Sequence, residues 1–272
     1  MEAPRQSRIA QYATHRNRNV DNEHDKGRAQ VKAKRTSQRG LRTQIAEALA
    51  TDDNSPVSRS AHFARTALER LGLNEHLAIR VSKVYELSAP PKVIRGFRDL
   101  VVRRATLDDV AGLASVDDTP PALIVERLLK GDIGYVGELN QAILSHTWLH
   151  KGDAFTEDAQ FLARWRLAPG TVWSFNAAAS PEARSSGLFV KVFVEALRSA
   201  FEHDGANRVQ CLIRSTHASS IGLHEKLGFR RLGRVLSLRT PWLHVAHWEG
   251  TNGSKKTSTA VDGTLPELEF TS

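Results

Sequence analysis

The sequence predicts an α/β (α+β) fold, in which helices flank a mixed, twisted sheet of six or seven strands. Three observations support this prediction. From residue 98 onward, apolar runs of strand length alternate with longer segments of helical period. Two strand-like runs, 133–139 and 141–150, meet at Asn140 and predict a β-hairpin. Further along, strands and helices are expected to alternate, which is typical of a sheet covered by helices.

The first half of this region predicts two helices and the hairpin. A short strand is expected at 100–102. Thr106 and Asp109 have the spacing of a capping box and predict the start of a helix. Pro120 suits the first turn of a second helix. After the hairpin, residues 151–170 are polar and aromatic, so they predict a loop with at most one helical turn.

The second half predicts a regular alternation. Short apolar runs predict strands, and segments with a period of 3.6 residues predict helices. The expected order is strand 171–178, helix 188–203, strand 208–213, helix 217–226, strand 229–238 and strand 242–248.

The segments on either side of this region differ from it in composition. Ser55 and Pro56 predict the start of a helix, and a second short helix is expected over 74–85. Residues after 250 are rich in Gly, Ser and Thr. The predicted organisation is a basic, mostly disordered arm at 1–54, a helical extension at 55–92, the sheet domain at 98–250 and a flexible tail at 251–272.

The positive charge is concentrated in the N-terminal arm. The net charge is +8, and residues 1–42 account for +7 of it. Such an arm is able to bind nucleic acid through sequence-independent electrostatics. It also fits a solvated, disordered tail, which the scarcity of aromatic residues favours.

The single cysteine excludes an internal disulfide and a cysteine-based metal cluster. Cys211 lies in the apolar run 209–213 and is expected to be a buried strand residue. No run of 18 apolar residues predicts a membrane span. We therefore expect a cytoplasmic protein without a metal ion.

Residues 179–187 join a predicted strand to a predicted helix through small side chains. The first amides of a helix lack intrahelical partners and carry partial positive charge, so such a terminus can bind an anion. Arg184 is able to add a charge-assisted contact to a phosphate, and Gly187 allows close approach of the backbone. Taken alone, the segment also fits an ordinary strand-to-helix turn.

Three segments together resemble the GNAT superfamily of N-acetyltransferases. Arg103–Asp109 resembles the opening of that domain, residues 181–189 (PEARSSGLF) resemble its pyrophosphate loop, and residues 217–229 resemble its late helix and the following turn. Their order and spacing also match. The resemblance covers about 150 of the 272 residues. It implies a GNAT-like fold that uses acetyl-CoA, or another acyl-CoA, as cosubstrate.

The resemblance also implies which residues contact the cosubstrate. Backbone amides from 184 to 189 would hold the pyrophosphate, and the end of strand 171–178 would bond the pantetheine arm beside strand 208–213. A backbone N–H there would stabilise the developing oxyanion. The implied cofactor-binding residues are Ala177, Ala179, Arg184, Ser185, Ser186, Gly187, Leu188, Phe189 and His217.

The chain departs from the family pattern at three positions. Phe189 stands where Gly or Ala is usual, so its ring is expected to lie away from the phosphates. His217 stands where Asn is usual. His224 replaces the frequent tyrosine acid that protonates the departing thiolate, and histidine is able to perform that task. His224 also fits a half-exposed residue on an amphipathic helix.

The general base is not defined by the sequence. Glu138 and Asn176 join His224 as predicted catalytic residues, and His146, His150 and Glu182 are further candidates near the expected cleft. Strand alternation places His146, Trp148 and His150 on one face, which would line an acceptor pocket.

The predicted function is direct transfer of an acyl group, acetyl by resemblance, from CoA to a primary amine. The acceptor is either a small molecule or a protein. Two alternatives stay open at this point. One is a non-catalytic acyl-CoA-binding module of the same fold, and the other is a nucleic-acid-associated protein that carries this domain.

Overall fold

A nine-stranded sheet with a single parallel pair of strands organises the described part of the chain. The computed structural model describes residues 78–156, 163–184, 186–240, 242–261 and 264–269. These residues all fall within the compact unit Arg65–Ser272. The basic arm, the helix expected from Ser55 and the predicted site residue Ser185 lie outside the described residues.

The elements follow the chain in this order. The first half contains β1 (Ala78–Leu87), β2 (Val101–Arg104), α1 (Val110–Asp117), α2 (Pro121–Leu129), β3 (Ile133–Leu139), β4 (Ala142–Lys151), β5 (Ala154–Thr156) and β6 (Arg164–Arg166). The second half contains β7 (Thr171–Ala179), α3 (Leu188–Glu202), β8 (Arg208–Arg214), α4 (Ala218–Lys226), β9 (Arg230–Arg239), β10 (Leu243–Gly250), β11 (Lys255–Val261) and β12 (Glu267–Glu269).

The predicted fold class is confirmed, since helices flank a mixed sheet whose strand order is β11-β10-β9-β1-β8-β7-β4-β3-β2. The predicted hairpin joins β3 and β4 through Asn140 and Gln141, whose φ angles of 51° and 65° suit a tight hairpin turn. The capping box of Thr106 and Asp109 is also present, ahead of α1. The strand count of six or seven was too low, because β1 and β11 belong to the sheet as well.

The helix expected over 74–85 is wrong for its described part, which is strand β1. This strand lies between β8 and β9 and is antiparallel to both. Val84 packs in one core cluster, whereas Tyr85 and Leu87 pack in the other. Both faces of the strand are therefore buried, and its partners lie far along the chain. The pairing with these distant strands and the burial of both faces outweigh the helical spacing. A local sequence window shows neither of them.

The flexible tail and the structureless loop at 151–170 are also wrong in part. Residues of the tail form β11, which pairs with β10, and β12, which runs parallel to β6. The loop contributes β5 and β6 to the same small sheet, whose order is β12-β6-β5. Trp165 and Leu268 occupy the middle of β6 and β12, and each is 0% exposed. Each of these two short strands therefore buries one side chain, and the ion pair of Arg166 and Glu267 also joins them.

The sheet separates two core clusters. One face packs Trp148, Trp173 and Phe175 with residues of α1 and α2. The opposite face packs α3 through residues such as Val192 and Phe193. In the described residues, no helix is both long and apolar enough to cross a bilayer.

The connection between β1 and β2, residues 88–100, passes over α3. Lys191 Nζ donates to the carbonyl oxygen of Ile94 at 2.9 Å, and Arg198 Nη1 donates to that of Pro91 at 3.1 Å. Phe97 lies beside Gly187, at the start of the helix. The connection is therefore attached to α3 at three levels.

Close packing of α3 on β3 gives a test of this arrangement. A Cβ on Gly137 would lie 2.4 Å from Val192 Cγ2, and Val192 is fully buried. We expect Gly137→Ala to lower the free energy of unfolding by about 1–3 kcal/mol, because the added methyl group overpacks the interface. Urea unfolding measures this change.

Gly222→Ala is the matched control. Gly222 lies inside α4, and a Cβ there would meet nothing within 4 Å. This change should raise stability by about 0.5–1 kcal/mol, because alanine loses less backbone entropy in a helix. Equal effects of the two substitutions would contradict the described packing of α3.

Candidate active site

The parallel strands β7 and β8 separate before they end. Their pairing runs from Thr171–Arg208 to Ser174–Cys211, whereas the strands themselves continue to Ala179 and Arg214. A cavity of about 210 Å³ lies in the opening between them. We call this opening the β7–β8 gap.

A β-bulge in β7 accounts for the separation. His146 of β4 pairs with Ala178, and Trp148 pairs with Phe175, so two residues of β7 face the single residue Thr147. One of these two residues is Asn176, whose φ of 40° is in the left-handed region that asparagine tolerates better than most residues. A bulge bends its strand and interrupts pairing, which here opens the sheet beside β8.

Four of the predicted site residues line the gap, namely Asn176, Ala177, His217 and His224. Three further residues also line it and were not predicted from the sequence, namely Phe193, Ser220 and Arg214. The spacing of Ser220 and His224 is one helical turn, and this could have identified their contact. Phe193 and Arg214 line the gap because of tertiary packing, which a local sequence pattern does not show.

His224 is buried, with 8% of its surface exposed, so the half-exposed alternative is wrong. Its Nδ1 lies 2.7 Å from the carbonyl oxygen of Ser220. Because a carbonyl oxygen only accepts hydrogen bonds, Nδ1 carries the hydrogen and neutral His224 has its lone pair on Nε2. The ring packs against Phe193 and Phe229, with centroid distances of 5.1 and 4.9 Å.

Burial lowers the pKa of His224 below its ordinary value, against the opposing effect of the hydrogen bond to Ser220. At neutral pH the ring is therefore neutral, and Nε2 is able to accept a proton. A role for His224 in proton transfer stays a prediction.

The turn before α3 has fewer unused amides than the sequence suggested. Arg184 N donates to the carbonyl oxygen of Ser180 at 3.1 Å, and Ser186 N donates to that of Ala183 at 3.2 Å. Leu188 N donates to Ser186 Oγ at 3.2 Å. An anion at this turn would have to replace some of these bonds or use the amides around Gly187.

Gly187 leaves space beside the N-terminus of α3. Its φ of 78° favours glycine, and a Cβ there would meet only the ring of Phe97, at 3.6 Å. Arg184 Nε donates to the carbonyl oxygen of Ala179 at 3.2 Å, and its side chain is exposed. Phe189 stacks on Phe193 one turn along the helix, with centroids 5.7 Å apart.

Glu138 does not belong to the gap. It lies on β3, which β4 separates from β7. Its carboxylate accepts from Arg103 Nε at 3.0 Å and from Nη2 at 2.8 Å, and Arg103 also binds Asp109. Since this carboxylate is bound in an ion pair outside the gap, its position does not support the prediction that Glu138 is a catalytic residue.

The predicted face of His146, Trp148 and His150 does not form one pocket. His146 is 1% exposed, and its Nε2 lies 3.3 Å from Asp117 Oδ2. Trp148 is a core residue. His150 contacts Asp132 at 2.7 Å through Nδ1 and the carbonyl oxygen of Ala154 at 3.0 Å through Nε2.

Cys211 is a buried strand residue, as the sequence predicted. Burial raises the pKa of its thiol far above the ordinary value. A thiol in this state is a poor nucleophile at neutral pH. Although Cys211 lines the gap, it is therefore suited to packing and not to covalent catalysis.

Several solved structures have a similar fold. A GNAT-family protein from Novosphingobium aromaticivorans is 15% identical, with 59% of this chain and 63% of that chain covered and a TM-score of 0.45. A GCN5-related N-acetyltransferase from Kribbella flavida is 12% identical, with 64% of each chain covered and a TM-score of 0.44. Another GCN5-related N-acetyltransferase, from Sphaerobacter thermophilus, is 13% identical, with 64% and 56% covered and a TM-score of 0.44.

The chain spans less than two thirds of the length of each of these three proteins. No protein-family model matches the chain, and no curated protein matches it. Similarities of this size do not identify a reaction, so the function has to be inferred from the site itself.

The lowered pKa of His224 predicts a pH-dependent contribution to stability. The unfolded chain binds a proton near pH 6.5 at this residue, whereas the folded chain binds it only at lower pH. The free energy of unfolding should therefore fall as the pH drops through and below about 6.5. Urea unfolding at several pH values should show a smaller loss for His224→Gln than for the native chain. Identical losses would indicate that His224 titrates alike in both states.

Proposed function

We propose that the chain is an N-acyltransferase that transfers an acyl group, acetyl in the simplest case, from CoA to a primary amine. The observation that supports this most directly is the position of His224. Its Nε2 is the acceptor nitrogen of a buried neutral imidazole at a gap between two strands. The gap lies beside α3, and Gly187 leaves room next to the N-terminus of that helix.

The residues at the gap fit an acyl-CoA in part. Gly187 leaves room beside the first turn of α3, and the exposed Arg184 is able to contact a phosphate. Backbone groups beyond Ser174 on β7 are no longer paired with β8, so an extended chain of amides is able to pair there instead. The bonded amides of Arg184, Ser186 and Leu188 fit less well, because they already have acceptors within the turn.

The proposed proton path uses His224 twice. When the amine nitrogen attacks the thioester carbonyl carbon, a C–N bond forms and His224 Nε2 accepts the proton that the nitrogen loses. When the C–S bond breaks, Nε2 returns that proton to the thiolate sulfur. The products are an amide and a free thiol, and Nε2 ends in its starting state. The hydrogen bond to Ser220 holds the ring in one tautomer throughout.

Acyl-CoA binding should stabilise the folded chain. At a concentration of about 100 times its dissociation constant, acetyl-CoA should raise the free energy of unfolding by about 2.7 kcal/mol. Thermal unfolding with and without acetyl-CoA measures the effect. Gly187→Leu should lose most of it, because a side chain at this positive φ strains the turn and fills the space beside the helix.

Gly205→Leu is the control for backbone strain. Gly205 follows the other end of α3, also has a positive φ of 72°, and has open space around it. This variant should keep the stabilisation by acetyl-CoA even if its own stability is lower. No stabilisation of the native chain by acetyl-CoA would contradict the proposed function.

Removal of the His224 ring tests the chemical step. With acetyl-CoA and a panel of primary amines, thiol release should show that His224→Gln lowers kcat by about 10²- to 10⁴-fold, because general acid–base catalysis is lost. The stabilisation by acetyl-CoA should persist. Acetyl-CoA binding without any transfer by the native chain would instead favour a non-catalytic binding module.

A further inference from the structure

Strands β1, β9 and β10 share an apolar face on the side of the sheet that carries α3. Register places Leu238 between Ile79 and Val245. Directly paired residues project to the same face of a sheet, as do alternate residues of one strand. We call the six side chains that project here the β9–β10 face. They are Ile79, Val81, Leu236, Leu238, Leu243 and Val245.

The opposite face of these strands is covered by the small sheet. Ala246 and Trp248 of β10 belong to the core cluster that contains Leu268 of β12. Successive side chains of a strand alternate between the two faces, so Val245 projects away from this cluster. The small sheet therefore does not cover the β9–β10 face.

The β9–β10 face is nonetheless shielded from water. Leu238, Leu243 and Val245 are 7%, 6% and 2% exposed. None of the six side chains belongs to either core cluster of described residues. Among described elements, β10 has its main contacts with the strands β9, β11 and β12. A sheet face reaches such low exposure when another element packs on it. Because these exposures belong to a single chain, a second copy does not account for them.

The β9–β10 face lies where the chain enters the sheet. Ala78 begins β1 and pairs with Arg239, which pairs with His244. The chain before Ala78 therefore leaves the sheet beside the ends of β9 and β10 that carry the apolar side chains. Further along the same face, the surface is charged, since Arg234 of β9 forms an ion pair with Glu249 of β10. An apolar segment that precedes β1 is thus placed next to the apolar end.

The segment before β1 has a composition that suits this face. Residues 65–77 lie outside the described ranges but belong to the same compact unit as the sheet. They include Leu68, Leu71, Leu73 and Leu77, of which the first two are spaced by one helical turn. Three neighbouring strands span about 10 Å, and ten residues of a helix are about 15 Å long. The segment is therefore long enough to cross β1, β9 and β10.

We propose that residues 65–77 pack on the β9–β10 face through Leu68 and Leu71. The chain itself joins the segment to the face, so this packing costs less entropy than binding of a separate partner. Apolar surface on both sides supplies the attraction. Because β1 pairs with β8 as well as β9, a segment packed in this way also supports one wall of the β7–β8 gap. The packing is independent of the proposed function.

Thiol labelling of the full chain tests this packing. Val245→Cys places a reporter thiol on the β9–β10 face, and Ala246→Cys places one on the opposite face of the same strand. We expect Val245→Cys to react slowly in the otherwise native chain. Adding Leu68→Asp and Leu71→Asp should raise its labelling rate by about tenfold or more, because the face opens to solvent. The rate at Ala246→Cys should stay the same.

Two controls separate local opening from unfolding. The native Cys211 is 4% exposed and should stay unlabelled while the sheet is folded. Leu107→Asp combined with Leu129→Asp replaces two exposed leucines on other elements, and should leave the rate at the Val245 position unchanged. If the double substitution at 68 and 71 exposes Cys211, the milder Leu71→Asn takes its place and should still raise the rate.

Four results would overturn the proposal. Rapid labelling of Val245→Cys in the otherwise native chain would show that the face is uncovered. A slow rate that the substitutions at 68 and 71 leave unchanged would assign the cover to another segment. A rate that rises when the protein is diluted would show that a second copy covers the face. An equal rise at Ala246→Cys would show that the substitutions loosen both faces of β10 and not this packing.

Discussion

The bulge at Asn176 and Ala177 is the constraint on which the candidate site depends. An extra residue in β7 faces Thr147 of β4, so β7 keeps its partner on one side and leaves β8 on the other. A sheet interior normally offers no unpaired backbone to a ligand. Here one inserted residue separates two strands in the interior of a nine-stranded sheet, and the resulting gap is open to both faces.

The gap differs in character from one face to the other. On the face of α3, aromatic rings surround a neutral imidazole, and burial keeps that imidazole uncharged. On the opposite face, Arg214 lines the same opening. The position of the gap, more than any single residue, produces this separation.

The sequence predicted the parts of this site that depend on local order. The strand, turn and helix around Gly187 and the burial of Cys211 follow from apolar periodicity and from glycine placement. Pairing between strands that lie far apart in the sequence could not be predicted from local periodicity. Helical spacing before Leu87 suggested a helix, but burial on both faces between β8 and β9 produces a strand. Glu138 was predicted to be catalytic, but it pairs with Arg103, which is 35 residues away and outside any local sequence pattern.

The placement of β1 has a consequence for the order in which the site forms. Tyr85 of β1 donates to Glu225, 140 residues further along the chain, and β1 pairs with both β8 and β9. During synthesis, β1 therefore has to wait until almost the whole domain has emerged before it finds either neighbour. Until then, the connection that carries Phe97 to Gly187 is held only by β2 and by its contacts with α3. We expect the β7–β8 gap to form last, so partly synthesised or truncated chains would carry the turn and the helix without a complete gap beside them.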